Sequence, residues 1–141
     1  MGRRDYPDRP LVGAGAVIVR GDQVVLVRRG RPPLAGEWSI PGGAVKLGET
    51  LRQAAEREAR EETSLEIEAG EVLEVFESIT PDSEGKTYYH YVIVDFLCRL
   101  KSGELRAGGD ALEVKWCRAE ELVEMRVSEP ATKVILKALG R

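Results

Sequence analysis

Along the chain, hydrophobic and polar positions fall into short alternating runs broken by turn residues, with one long stretch at helical period. Leu11 to Val19 and Val24 to Arg28 are rich in valine and isoleucine, and Arg20-Gly21-Asp22-Gln23 between them reads as the turn of a hairpin. From Arg29 to Gly43 the pattern stops. Pro32, Pro33, Gly36, Pro41, Gly42 and Gly43 mark a loop about as long as a connection becomes without a functional reason. Thr50 to Thr63 carries the strongest helical pattern. Thr50 and Gln53 have the capping-box spacing, in which each side chain satisfies a free backbone N–H. Val72 to Ile79 and Thr87 to Leu100 read as strands around the polar turn Pro81-Asp82-Ser83-Glu84-Gly85-Lys86, and Leu112 to Cys117 as a further strand. Ser128 is placed to cap a last helix through Leu139, with Ala131, Val134, Ile135 and Ala138 on one side. Strands and helices interleave without repeat or linker. The pattern predicts one domain over residues 1–141, α/β or α+β, with helices packed on a mixed sheet.

Wound at about 100° per residue, the segment from Thr50 to Thr63 gains an apolar stripe of Leu51, Ala54, Ala55 and Ala59. Arg52, Gln53, Glu56 and Arg60 point away from it. Glu58 and Glu62 fall inside the stripe, one turn apart, with Glu61 at its edge. A solvated charged face with pairs such as Arg57–Glu61 accounts for Glu56, Arg57 and Arg60, but not for two inward carboxylates. Like charges at that spacing cost a few tenths of a kcal/mol even when exposed, and unpaired burial costs several kcal/mol. Something cationic should offset this. A hard divalent ion such as Mg²⁺, which favours carboxylate oxygen, is preferred here over a buried salt bridge. The adjacent Gly42 and Gly43, shortly before the helix, permit close backbone approach to an ion or a phosphate.

Composition narrows the function classes. Lys plus Arg number 21 against 24 Asp plus Glu, a net charge of -3 that argues against a protein that coats nucleic acid. With one histidine, His90, and two cysteines, Cys98 and Cys117, a zinc site built from several such ligands is excluded. Both cysteines sit in strand-like surroundings and are expected to be reduced and packed. The N-terminus lacks an apolar signal region, and its Arg3-Arg4 pair is too common to mark export. No apolar run nears the roughly 20 residues that span a bilayer; the longest, Tyr91 to Leu97, is interrupted by Asp95. A cytoplasmic protein without membrane contact is expected. Within residues 1–33, seven arginines face three aspartates, so an acidic chain begins with a basic third.

Gly43, then Glu49, then Arg57-Glu58, then Glu61-Glu62 resembles the Nudix box, G-x5-E-x7-R-E-U-x-E-E-x-G-U with U bulky and apolar. The box would run from Gly43 to Leu65, and all its acidic and basic positions match. Two positions depart from it: Ser64 stands where the family has its second glycine, and the first U is the small Ala59. The lead-in from Trp38 to Gly43 and the segment from Ala111 to Trp116, followed by Glu120-Glu121-Leu122, also resemble the family. The resemblance implies an α/β/α sandwich and hydrolysis, assisted by Mg²⁺ or Mn²⁺, of a nucleoside diphosphate linked to another group. It implies metal ligation by Glu58, Glu61 and Glu62, with the Gly42 carbonyl as a further ligand. Arg57 would orient Glu58, braced by Glu49. The general base would lie in the box, at Glu61 or Glu62, or in a later loop, at Glu84 or Glu113, with the box preferred.

Substrate contacts are less defined. Arg28, Arg29 and Arg31 lie where a diphosphate would approach, though each also suits a solvated strand edge. Tyr88-Tyr89-His90-Tyr91 could stack a base, and His90 could meet a phosphate, although packing within the sheet explains both. Trp38 is a candidate gate or a loop anchor. The general look, including Tyr6-Pro7-Asp8-Arg9-Pro10, resembles the bacterial ADP-ribose pyrophosphatase-like and MutT-like branch. An ADP-ribose-like compound or an NDP-sugar is the expected substrate. The alternatives are a house-cleaning nucleoside triphosphate pyrophosphohydrolase and a non-catalytic, nucleotide-binding regulatory module. Many relatives pair as dimers, which leaves a homodimer open.

Overall fold

The computed structural model describes residues 4–31 and 35–141; Arg3, Pro32 and Pro33 lie outside the described residues. Ten-residue β1 (Leu11–Arg20) and β2 (Gln23–Arg29) form the expected antiparallel hairpin, pairing Val19 with Val24. The long glycine- and proline-rich loop is not wholly irregular. It contains two short strands, β3 (Trp38–Ser39) on β2 and β4 (Gly42–Ala44) on β1. Helix α1 (Leu51–Thr63) follows, then β5 (Glu66–Pro81), β6 (Thr87–Ser102), β7 (Ala111–Arg118), a single 3-10 turn at Ala119–Glu121, and α2 (Glu129–Ala138).

These strands make one mixed sheet in the order β3-β2-β1-β6-β5, with β4 on β1 and β7 on β2. The β1–β6 pair is parallel and runs from Leu11↔Tyr91 to Val19↔Arg99; the other pairs are antiparallel. Alternation along β1 sends Ala14, Ala16 and Ile18 to a core beneath α1, and Val17 to a second core beneath α2. The sheet is thus sandwiched between two helices: the interleaved pattern predicts helices on a mixed sheet, and the Nudix resemblance implies the sandwich. Both cysteines are free and buried in these cores. No described helix is long and apolar enough to cross a membrane.

One polar group breaks the second core. Asp95 is 2% exposed and pairs across the sheet with Gly15 and Glu74, while Lys137 of α2 reaches Glu74 at 3.6 Å. Burial, and then the Glu74 charge, push the Asp95 carboxyl from 3.8 up to about 7. The neutral form therefore stabilises the fold fully below about pH 4, and that contribution is lost as pH rises towards 7. Asp95→Asn should flatten the decline in melting temperature across that window; an unchanged pH profile would show that Asp95 does not titrate there.

Candidate active site

The site runs along α1, from Glu49 just before its first turn to Glu62 in its last. Thr50 Oγ1 accepts from the Gln53 N–H at 3.1 Å and Gln53 Oε1 accepts from the Thr50 N–H at 2.9 Å, completing the capping box. Ala54, Ala55 and Ala59 are fully buried, and their small side chains let the helix lie close on the sheet. That closeness carries the inward glutamates to the backbone of β4. Glu62 accepts from the Gly42 N–H at 3.3 and 3.4 Å through its two oxygens.

Arg57 organises the other carboxylates. Its Nε and Nη2 donate to the two oxygens of Glu49 at 2.7 and 3.0 Å, a bidentate pair. Nη1 donates to Glu58 at 2.9 Å and, more loosely, to Glu61 at 3.3 Å, and Nη2 also meets the Ala44 carbonyl at 3.0 Å. The Arg57, Glu49 and Glu58 side chains are 16%, 14% and 14% exposed, whereas Glu61 is 47% exposed. Arg57 thus turns into the protein rather than lying on a solvated face, contrary to what helix period alone allows. Its guanidinium holds the Glu49 carboxyl below the usual range, and Glu49 in turn raises Arg57. Glu58 lies directly against Gly43, where any Cβ would collide with the carboxylate. Gly43→Ala should displace Glu58 and weaken divalent-ion affinity about tenfold. Isothermal titration with Mn²⁺ checks this; equal affinity in both proteins would contradict the packing argument.

Glu62 is the electrostatic anomaly. Burial, and then the charge of Glu58, push its carboxyl from 4.5 up to about 8, although the Gly42 N–H and Arg29 favour the ionised form. Among the described residues, no three acidic, histidine or cysteine side chains stand close enough to enclose an ion as they are. Arg57 draws Glu58 and Glu61 to itself. The donor set nonetheless fits a hard divalent cation. It is all oxygen, and it contains a crowded carboxylate pair that a cation would relieve.

The remaining candidates divide. Arg29 acts on Glu62 through its charge. Arg28 is engaged elsewhere: its Nη1 donates to Glu113 at 2.9 Å and its Nε to the Gly36 carbonyl at 3.2 Å. Leu26 and Cys117 belong to the α2-side core, so alternation places Arg28 and Glu113 on that face, away from α1. Trp38 pairs with Arg28 and packs against the same core. His90 is half-buried on β6 opposite Ile79. The tyrosines pack on one another with tilted rings, Tyr88 against Tyr89 at 4.2 Å and against Tyr6 at 5.0 Å. Glu84 lies exposed in the β5–β6 turn. Sequence reasoning missed the segment 103–110, which touches the end of α1 through Arg106 and Gly108. Its glycines at 103, 108 and 109 were the available signal.

The fold is an α/β/α sandwich in which α1 turns a carboxylate cluster and its arginine towards the glycine strand β4. The chain matches the NUDIX domain family model over residues 9–138, and it belongs to that family. It is 34% identical over 107 residues to the ADP-ribose pyrophosphatase of Methanocaldococcus jannaschii, covering 76% of this chain and 61% of that protein. A putative 8-oxo-dGTP diphosphatase 2 of Mycobacterium tuberculosis is 55% identical over 58 residues, 40% of each chain. This chain therefore spans less than two thirds of those relatives. Among solved structures, the MutT NUDIX hydrolase from Burkholderia pseudomallei superposes with a TM-score of 0.77 at 29% identity, over 92% of this chain and 98% of that one.

Proposed function

We propose that this protein hydrolyses the diphosphate linkage of a nucleoside diphosphate derivative, ADP-ribose or an NDP-sugar, using Mg²⁺ or Mn²⁺ held by Glu58, Glu61 and Glu62. The carrying observation is geometric: Glu62, buried and bonded to the Gly42 N–H, and Glu58, lying against Gly43, bring two crowded carboxyls to one glycine backbone, where burial and then the Glu58 charge raise the Glu62 carboxyl. A bound cation would supply neutralisation of phosphate charge and a lowered pKa for the attacking water. Glu58, Glu61 and Glu62 would hold it, while Arg57, anchored by Glu49, fixes the direction of Glu58. Glu61 is the more accessible of the two box candidates for general base, and it would take the proton of the attacking water at the carboxylate oxygen that the ion does not use. Arg29, whose charge acts on Glu62, would meet the diphosphate in this reading.

The relative named ADP-ribose pyrophosphatase supports the ADP-ribose reading. The short, closer match to a putative 8-oxo-dGTP diphosphatase favours a second one, release of pyrophosphate from a nucleoside triphosphate. A panel of ADP-ribose, NDP-sugars, dinucleoside polyphosphates and triphosphates with Mg²⁺ separates them. The expected result is highest kcat/KM for ADP-ribose or an NDP-sugar. Preference for a triphosphate would move the assignment to the second reading, and binding without hydrolysis of any member would make the protein a regulatory module.

A further inference from the structure

Helix C-termini leave their last carbonyls without intrahelical partners. In α1, that last turn carries Glu61 and Glu62, and its donors come from some forty residues downstream. Arg106 N–H donates to the Thr63 carbonyl at 2.9 Å, and Gly108 N–H to the Glu62 carbonyl at 3.1 Å. Ser64 returns the contact, its hydroxyl donating to the Arg106 carbonyl at 3.1 Å. Leu105 packs into the core beneath α1. Gly108 lies so close that a Cβ there would stand 2.6 Å from the Glu61 carbonyl oxygen. The same segment continues to the end of β2: Gly30 N–H donates to the Asp110 carbonyl at 2.8 Å, and Arg31 pairs with the Asp110 carboxylate at 3.3 Å. One segment therefore holds both the carboxylate end of α1 and the arginine end of β2.

We infer that residues 103–110 form a positioning strap, latched by the Ser64 hydroxyl, that sets where Glu61 and Glu62 stand towards the divalent ion. The inference rests on the proposed function, in which these carboxylates bind that ion. Ser64 is a positioning residue that acts through the strap. Its backbone is left-handed, with φ of 66°, a conformation that glycine adopts more readily. Glycine, however, has no hydroxyl to donate to Arg106. Stability and ion affinity should therefore part company in Ser64→Gly.

The test measures Mn²⁺ binding by the electron paramagnetic resonance of free Mn²⁺, alongside melting temperature in EDTA, for the full chain. Ser64→Gly should melt at the same or a higher temperature yet bind Mn²⁺ about fivefold more weakly, the effect of one lost hydrogen bond. Gly108→Ala, which must push the strap off Glu61, should weaken binding further. Unchanged Mn²⁺ affinity in Ser64→Gly would overturn the strap, as would an affinity loss matched by a lower melting temperature. A wild-type chain that binds no Mn²⁺ would overturn the proposed function, and the strap with it.

Discussion

Glu62→Gln is expected to lower metal-dependent hydrolysis by roughly a hundredfold or more while making the metal-free protein more stable at pH 8. The two effects have one cause. In the folded chain the Glu62 carboxyl releases its proton near 8, against 4.5 ordinarily. Below about 4.5 both folded and unfolded chains carry the proton, and the neutral side chain's contribution is fully present. As pH rises towards 8 the unfolded chain gains by ionising and the folded one resists, so stability falls. Glutamine cannot ionise, keeps an oxygen for the Gly42 N–H, and can donate to Glu58. It should raise stability at pH 8 by on the order of a few kcal/mol, with the gain vanishing near pH 4.5. Urea unfolding in EDTA at the two pH values measures this. A variant less stable than wild type at pH 8 would show that Glu62 is not strained by burial.

Arg57→Ala should produce the largest loss of stability. Glu49, Glu58 and Glu61 all lean on one guanidinium, and the first two are mostly buried. Removing the partner of a buried carboxylate leaves its desolvation uncompensated, a loss of roughly 3 kcal/mol or more. Arg57→Lys should recover little, because an ammonium cannot make the bidentate contact with Glu49 while also reaching Glu58 and the Ala44 carbonyl. Added Mg²⁺ should restore part of the stability by supplying charge to the freed carboxylates. Unfolding curves with and without Mg²⁺ check both statements. Equal stability of Arg57→Ala and wild type would remove Arg57 from the centre of the site.

What the sequence made legible follows from how local each signal is. The start of α1 was readable because Thr50 and Gln53 satisfy each other's backbone within one turn. The inward glutamates were readable from helical period, and Glu62 is indeed buried. The bend of Arg57 into the protein was not, since its partner Glu49 precedes the helix and period places neither; the box resemblance supplied it. Strands β3 and β4 escaped because runs of two and three residues carry no period of their own. Strand β5 begins at Glu66, well before the expected Val72, because register shifts break its alternation and β6 supplies the pairing. Ser128 does precede α2, but its hydroxyl makes no capping bond, and Pro130 lacks the N–H such a cap often meets. Asp95 was visible as the break in an apolar run, yet only the sheet placed it beside Gly15 and Glu74.

Phosphorus NMR of ADP-ribose incubated with the purified chain tests the central claim most directly. With Mg²⁺ the spectrum should resolve into AMP and ribose 5-phosphate, and with EDTA, or with Glu58→Gln in Mg²⁺, the diphosphate signals should persist. Cleavage at the same rate in EDTA, or an intact diphosphate in the presence of Mg²⁺ and bound ADP-ribose, would contradict it.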